Sequence, residues 1–498
     1  MAYIGLDVGT SGVKATVMTQ SGDVLASASR EYNLRFPRPG WVEMRPSDVW
    51  AAAKAVLAEA SAKAGWRIEA IATASFGEAA VLLDENGEAV MDSIFFTDMR
   101  GSEELADLRA RVNPDAIQMR TGMPINHMYT LPKLLWLQKR RPDAFARTRK
   151  LLLYGSYIAY MLTGEAAIDS SLASRTLLFN RETLDWDDEI LRAFAIDRDW
   201  LPRFVPAGMP IGHIHPARAM ELGIDPSALV VSGVHDQIAA ALGAGALYAG
   251  DVADGIGSAE CLVAPLPAAP NFRAMFAANI CAEPHALPGA HVALAFSNAA
   301  GSALKWYLNT FEPELSRRCA LEGRNAYAAL NETLSNAPSP LLFLPHLAGT
   351  GTPHMDAGAT GTLAGLTLSS TRADIYRAIY EGMNFEIRMN LECLQGAGFC
   401  MRELTACGGG ASAEALAIKA DILQIPIRTL KNNQSGTVGM AMLCALACGR
   451  FHSFREATDA LVVRGALIEP RAAHRAEYAD KYAQYLRMYG ATCAIYDR

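Results

Sequence analysis

The chain has 498 residues, 51% hydrophobic and 19% charged, enough for large buried cores and, at roughly 100–200 residues per domain, for two to four domains. A formal net charge of −7 with a pI near 5.9 leaves no basic run or pole with which to bind nucleic acid or an anionic membrane surface. Nine cysteines, none before Cys261 and none in a C-x-x-C pair, argue against a disulfide framework and a zinc site. The opening MAYIGLDVGT carries no basic leader, and no apolar run reaches the roughly 18 residues of a bilayer span. The expected location is the cytoplasm.

The first thirty residues alternate apolar and polar positions on both sides of the Gly9–Gly12 turn and again around Ser21-Gly22-Asp23, which predicts an antiparallel β-meander. A helix follows RPSDVW, with Ser47 as its expected N-cap and Val49, Ala53, Val56, Leu57 and Ala60 at helical spacing; IEAIATASF then reads as a buried strand. From about 114 to 210 the pattern turns mainly helical, Pro132 opening PKLLWLQKR, and reads as an insertion. GAGALYAGDVADGIGSAECLVA places a Gly-rich turn between apolar stretches and echoes the start of the chain, Gly257-Ser258 standing where Gly9-Thr10 stood. Two halves of similar plan follow from that echo. Thr371 and Asp374 have capping-box spacing before a long helix, and CGGGASAEALAIKADILQIP reads as strand, three glycines, helix. The tail HRAEYADKYAQYLRMYG reads as a helix polar enough to lie outside.

The glycine-rich turns need a physical reason, because G-x-x-x-x-G-K-[ST], H-E-x-x-H and G-x-S-x-G are all absent. In DVGTSGVK two glycines let backbone N–H groups face an anion, Thr10 and Ser11 add hydroxyl donors, and Lys14 adds a cation. An acid beside such a cradle repels the anion unless a divalent ion lies between them, so Asp7 makes most sense as a Mg²⁺ ligand acting through water. A plain hairpin with Asp7 on the surface is the alternative. DGIGSAE repeats the donors, with Ser258 in the part of Thr10, though it also reads as an ordinary turn. CGGGASAEA sits at a strand-to-helix junction, where exposed N–H groups and the helix dipole favour a nucleotide; close helix–sheet packing explains the glycines equally well. Together these turns point to an ATP-binding cleft between two related domains.

Six stretches, IGLDVGTSGVK, PGWVEMRPSDVW, GVHDQIAAALGAG, FLPHLAGTGTPH, GTLAGLTLSSTRADIYRAIYEGMNF and CGGGASAEALAIKADILQIP, occur in family order over residues 1 to about 450. On these the chain resembles the FGGY carbohydrate kinases, which include xylulose, glycerol, gluconate and ribulose kinases. The resemblance implies an α/β protein of two ribonuclease-H-like domains of the actin or hexokinase type, over 1–245 and 246–498, with a cleft between them. It implies transfer of the γ-phosphate of ATP, with Mg²⁺, to a hydroxyl of a small sugar or polyol: a ketose such as xylulose, or a glycerol-like or tetritol-like polyol. Asp236 takes the place of the catalytic base; its plainer role is to cap the helix QIAAALGAGAL. ATP contacts fall to Thr10, Ser11, Lys14, Gly257, Ser258, Gly301, Gly409, Gly410 and Ser412, and Mg²⁺ to Asp7.

For the acceptor, Glu78 and Gln237 resemble the glycerol-kinase pattern, whereas xylulose kinases usually show Met-His at 77 and 78 and Asn at 237. Glycerol kinases place an Arg where this chain has Gly77. Trp41 with Glu43, Asp98 with Arg100, and His127 to Tyr129 are further candidate pocket residues, with ordinary packing as the alternative for each. Ala259-Glu260 departs from the small pair usual after the second turn, and a second acid there is expected either to bind metal or to weaken the nucleotide. The competing function is a sugar-sensing pseudokinase that binds without turnover. The expected partners are a small sugar or polyol, with no nucleic acid or membrane, and a homodimer is the candidate assembly.

Overall fold

The computed structural model describes residues 1–432 and 434–495. They form two compact units: Met1–Leu247 with Cys281–Val292 and Gln434–Val462, and Tyr248–Ile280 with Ala293–Asn433 and Val463–Arg498. The chain therefore returns to the first unit twice after first leaving it.

The predicted meander is present as β1 (Ala2–Val8), β2 (Gly12–Thr19) and β3 (Val24–Glu31), paired antiparallel. The apolar run after the first helix forms β4 (Ile68–Ser75), parallel to β1, and β5 (Pro210–His213) and β6 (Leu229–His235) complete the order β5-β6-β4-β1-β2-β3. β4 and β1 lie inside the sheet and read as near-continuous apolar runs, as strands covered on both faces do. The helix Pro46–Ala64 buries Val49, Ala53, Val56, Leu57 and Ala60 against Leu6, Val13 and Val17. Its cap is Arg45 rather than Ser47: Pro46, with its fixed φ and no N–H, takes the first helical position, and Ser47 falls inside the helix and is exposed.

On the other side of this sheet the helix Ser435–Ala447 packs across the helix Asp236–Ala244 and against β1. Glycine makes the approach possible. A Cβ on Gly243 would stand 1.8 Å from the Ser435 carbonyl oxygen, and one on Gly439 would stand 2.1 Å from that of Ala239.

The second unit repeats the plan. β7 (Ala253–Ile256) and β8 (Glu260–Pro265) form an antiparallel hairpin, β10 (Leu404–Cys407) runs parallel to β7, β11 (Ile427–Leu430) parallel to β10, and β12 (Arg464–Ile468) antiparallel to β11. With β9 (His291–Ser297) beside β8 the order runs β9-β8-β7-β10-β11-β12, and the short strand Cys281–Pro284 pairs on the outer edge of β9 to make seven strands. The Gly257-Ser258 turn thus occupies the same place in its sheet as Gly9-Thr10 does in the other. Thr371 and Asp374 make the expected capping box at the start of the helix Arg372–Gly396.

The tail helix Arg475–Tyr485 does not lie outside. Tyr478, Lys481, Tyr482 and Tyr485 are buried, and the three tyrosine rings surround Phe385. The Tyr485 hydroxyl donates to Glu386 at 2.5 Å, and Lys481 pairs with Glu381 at 2.5 Å. Positions 478, 482 and 485 share one helical face, so an apolar stripe is present although the segment is polar on average.

The helix crossing gives a direct test. Gly243→Ala and Gly439→Ala should each cost about 1–3 kcal/mol, the range for overpacking, seen as a lower thermal midpoint. Gly396→Ala, where a Cβ meets nothing within 4 Å, should leave it unchanged or slightly raised.

Candidate active site

In the first unit the parallel strands β1, β4 and β6 end at one edge: Asp7 lies opposite Ala74, Val8 opposite Ser75, and His235 opposite Ser75. In open α/β sheets ligands collect at such carboxyl ends. The Gly9–Gly12 turn leaves this edge, closed by Gly9 N–H donating to the Gly12 carbonyl at 2.9 Å, Tyr32 N–H to the Ser11 carbonyl at 3.1 Å, and the Tyr32 hydroxyl to the Gly9 carbonyl. A Cβ on Gly12 would sit 2.6 Å from the Arg30 carbonyl oxygen. Thr10 and Ser11 are exposed at the tip, and Lys14 faces Asp7 across the β1–β2 register. Burial, reinforced by the charge of Asp236 and only partly offset by Lys14, pushes the Asp7 carboxyl up to about 7.

Asp236 follows β6 directly and is the first residue of the helix Asp236–Ala244; the cap position belongs to His235. A capping role for Asp236 is thereby displaced by one residue. Its side chain is 26% exposed, and the helix N-terminus favours a negative charge there. Gln237, next in the helix, is half-buried.

Behind Asp236 stands a row of buried charges. His235 Nε2 lies 3.2 Å from Asp236 Oδ1 and His235 Nδ1 lies 2.9 Å from Glu283 Oε1. Glu283 Oε2 accepts from Arg175 Nη1 at 2.8 Å, and Arg175 Nε donates to Glu78 Oε1 at 2.6 Å. Burial, the largest influence, and Arg175 oppose the charge of His235, yet Glu283 and Asp236 together hold the imidazole above its ordinary pKa. Burial would raise Glu283 too, but His235 and Arg175 hold it below the usual carboxylate range. The helix Ser170–Ser174 supports both ends of this row: Ser171 Oγ accepts from the His235 N–H at 2.9 Å and donates to Asp169 at 2.6 Å, and Arg175 follows the helix immediately.

Glu78 has φ 66°, a left-handed conformation uncommon for a non-glycine residue, and Thr130 Oγ1 donates to its carbonyl at 2.6 Å. The space over Gly77 is taken by Arg175, whose Cγ would lie 2.8 Å from a Cβ there. A guanidinium does stand beside Glu78, then, but it arrives from residue 175. Asp98 is fully buried, accepting from Val42 N–H at 2.5 Å, Arg100 N–H at 2.8 Å, and Arg100 Nε and Nη2 at 2.9 and 2.6 Å. Arg100 also pairs with Glu43 at 2.8 Å and stacks 3.8 Å from the Trp41 ring. Asp98 and Trp41 are brought together as two sides of one ion-and-ring cluster; Trp41 lines a cavity of about 570 Å³ with Arg100 and Trp136. Lys133 donates to the Asp98 and Arg100 carbonyls, and burial lowers its pKa to about 7. Half-buried His127 is likewise lowered by burial, to about 4, while Tyr129 is buried with its ring 5.6 Å from the Arg175 guanidinium.

In the second unit Gly257 N–H closes the β7–β8 turn on the Ala259 carbonyl at 2.9 Å, leaving Ser258 exposed. Gly301 opens the helix Gly301–Phe311, and its N–H donates to the Gly257 carbonyl at 2.9 Å; a Cβ there would be 2.8 Å from that oxygen. Gly301 therefore braces the turn. After β10, Gly408 has φ 92°, and Gly410 packs so closely on Ile256 that a Cβ would stand 2.5 Å from its Cγ2. Gly409 has open space around it. Ser412 caps the helix Ala413–Leu423, accepting from the Ala415 N–H at 3.3 Å, and accepts from Asn331 Nδ2 at 3.1 Å. Glu260 points into the interior of its unit. It is buried against Lys419, which also pairs with Asp254 at 2.5 Å. Burial raises the Glu260 carboxyl against the pull of Lys419, with Asp254 adding to the rise.

Among the described residues no group of three or more His, Cys, Asp or Glu side chains is arranged to hold a metal ion, and no helix is long and apolar enough to cross a membrane. The FGGY carbohydrate-kinase N-terminal domain model matches residues 2–243 and the C-terminal domain model matches 257–448. The chain belongs to the FGGY family of carbohydrate kinases. A xylulose kinase of Lactococcus lactis subsp. lactis (strain IL1403) is 28% identical over 99% of this chain and 98% of its own length. A glycerol kinase of Geobacter sp. (strain M21) is 31% identical over 90% and 91%. The crystal structure of xylulose kinase from Rhodospirillum rubrum superposes with a TM-score of 0.86, at 29% identity and full coverage of both chains. This FGGY kinase is thus an ATP-dependent phosphotransferase with the family's two-domain α/β fold, and its relatives lend no support to a non-catalytic regulator.

Sequence reasoning missed Arg175, Glu283, His235, Lys133 and Lys419. Each is a charged or titratable residue inside an otherwise apolar or small-residue run, such as SLASRTLLF and ICAEP, and that interruption was the available signal.

Two measurements check these charges. Because the Asp7 pKa is raised on folding, its ionised form opposes folding; this cost is absent below about pH 4 and complete above about pH 7. In nucleotide-free protein Asp7→Asn should therefore melt higher than the wild type at pH 8 and equally at pH 4. Lys419→Met should cost about 3–5 kcal/mol by leaving two carboxylates buried without their cation, whereas Glu260→Gln, which keeps the Lys419–Asp254 pair, should cost far less in denaturant titrations.

Proposed function

We propose that this kinase transfers the γ-phosphate of ATP to a hydroxyl of a small neutral ketose or polyol, with Asp236 as general base, in the cytoplasm. The observation that carries the reading is Asp236 itself: a partly exposed carboxylate at a helix N-terminus, at the same strand-end edge as Asp7. Phosphoryl transfer passes through a loose transition state, so positioning an acceptor hydroxyl and accepting its proton late is the contribution a carboxylate can make. In the first unit the exposed Thr10 and Ser11 hydroxyls and Lys14 suit phosphate oxygens; in the second, Ser258 and the open backbone at Gly409 suit the nucleotide, with Gly257, Gly301, Gly410 and Ser412 shaping those turns.

Mg²⁺ suits Asp7, a carboxylate at the strand-end edge whose charge is opposed by burial and by Asp236, and a hydrated ion shared with nucleotide phosphates needs no closed protein cage. When bound, it would neutralise charge on the phosphates. Among the described residues no cysteine is joined in a disulfide, which supports the reducing compartment.

The acceptor class follows from Glu78, Arg175 and Gln237, with Trp41 and Asp98 shaping the neighbouring wall. Arg175 is already paired with two carboxylates, so an aldonate would find this guanidinium taken, whereas the hydroxyls of a neutral acceptor can use the half-buried Gln237 and the Glu78 oxygen that Arg175 does not engage. The first six relatives are xylulose kinases, which supports a ketose acceptor; a gluconokinase and a glycerol kinase follow them.

ADP release measured over D-xylulose, glycerol, a tetritol and gluconate should appear with at least one neutral member and stay at background with gluconate; gluconate as the best acceptor would overturn the acceptor class. Asp236→Asn should lose on the order of 10²–10⁴-fold in kcat, and near wild-type turnover by that variant would end the base assignment.

A further inference from the structure

We infer that His235 and Glu283 form a positioning relay that fixes the rotamer of Asp236 and ties it to the Arg175–Glu78 pair; this rests on the reading of Asp236 as the base. Along the row Asp236, His235, Glu283, Arg175, Glu78 the charges alternate. Every interior member has an opposite partner on each side. A neutral imidazole has one N–H donor, but here both ring nitrogens face carboxylate oxygens, Nε2 at 3.2 Å from Asp236 and Nδ1 at 2.9 Å from Glu283. Nδ1 and Glu283 Oε1 are buried and make no hydrogen bond, so this contact is one of charge at short range, and a positive ring suits its place between two carboxylates.

Glu283 is divided in the same way. Oε1 serves His235 and Oε2 serves Arg175. His235 is 4% exposed and Glu283 0%, so neither charge is sustained by water, and each depends on its partners. For Asp236 the consequence is an asymmetry between its two oxygens: Oδ1 is tethered to the imidazolium, and the partly exposed side chain has Oδ2 left for the acceptor hydroxyl. The tether matters because a base misplaced by about 1 Å can lose on the order of 10²-fold in rate.

The far end of the row reaches Glu78, one of the proposed acceptor contacts. Arg175 bridges Glu78 and Glu283 with separate guanidinium nitrogens, and Ser171, four residues before it, fixes the His235 backbone. One short helix therefore sets both the acceptor-side acid and the residue that holds the base. His235 and Glu283 are positioning residues; they act through Asp236.

The test uses the full-length enzyme with the neutral acceptor it turns over fastest, alongside His235→Gln, Glu283→Gln, their double variant and Asp236→Asn. Glu283→Gln is nearly isosteric and serves where His235→Gln folds poorly, with the circular dichroism melt of each variant recorded. The expected result is a fall in kcat of about 10- to 100-fold for each single variant, with KM for acceptor and ATP within about threefold of wild type. The double variant should be no slower than the slower single one, as members of one relay are not additive. Wild-type kcat in both single variants, losses that multiply in the double variant, or losses confined to KM would each overturn the relay. If Asp236→Asn is inactive while the His235 and Glu283 variants turn over normally, the relay alone falls; if Asp236→Asn is active, the base assignment falls with it.

Discussion

The register of three parallel strands in the first unit is the constraint on which the site depends. Because β1, β4 and β6 run the same way and end level, Asp7 and the residues following His235 emerge at one edge, although they are far apart in the chain. Hydrogen bonds set that register, and a slip of one residue in β6 would send the His235 side chain to the opposite face. The chemistry is thus held by backbone pairing before any side chain contributes.

What the edge supplies is position; what lies behind it is charge compensation. The first unit buries an alternating row ending at Asp236, and the second buries Lys419 between Asp254 and Glu260 beneath its own turn. Interior ion pairs of this kind add little net stability compared with apolar packing, but they are costly to break and specify one arrangement. Each unit also carries a glycine-rich turn whose tip exposes hydroxyls, Thr10 and Ser11 in one and Ser258 in the other. The turns are flexible in composition and rigid in support.

Much of this was legible in the sequence. The meander, the buried strand, the capping box at Thr371 and the matching place of the two turns followed from periodicity and turn chemistry. Ser47 was misread because a preceding proline competes for the helix start, and the tail helix because average polarity hides a stripe of three tyrosines. The Glu78–Arg175–Glu283–His235 row was not legible: its members lie on separate strands and loops, and only the tertiary fold shows that Arg175 fills the space above Gly77. Likewise Glu260 read as an acid near ATP because nothing local in the sequence announces Lys419.

The discontinuity of the first unit bears on how the protein is made. Its sheet is complete in sequence by His235, but the helix that covers the Asp236–Ala244 helix begins only at Ser435. A ribosome adding roughly 5–20 residues per second leaves that apolar surface uncovered for about 10–40 s while the intervening segment is synthesised. Folding from the N-terminus can therefore build the strand edge early but cannot seal it until the Ser435–Ala447 helix has been made.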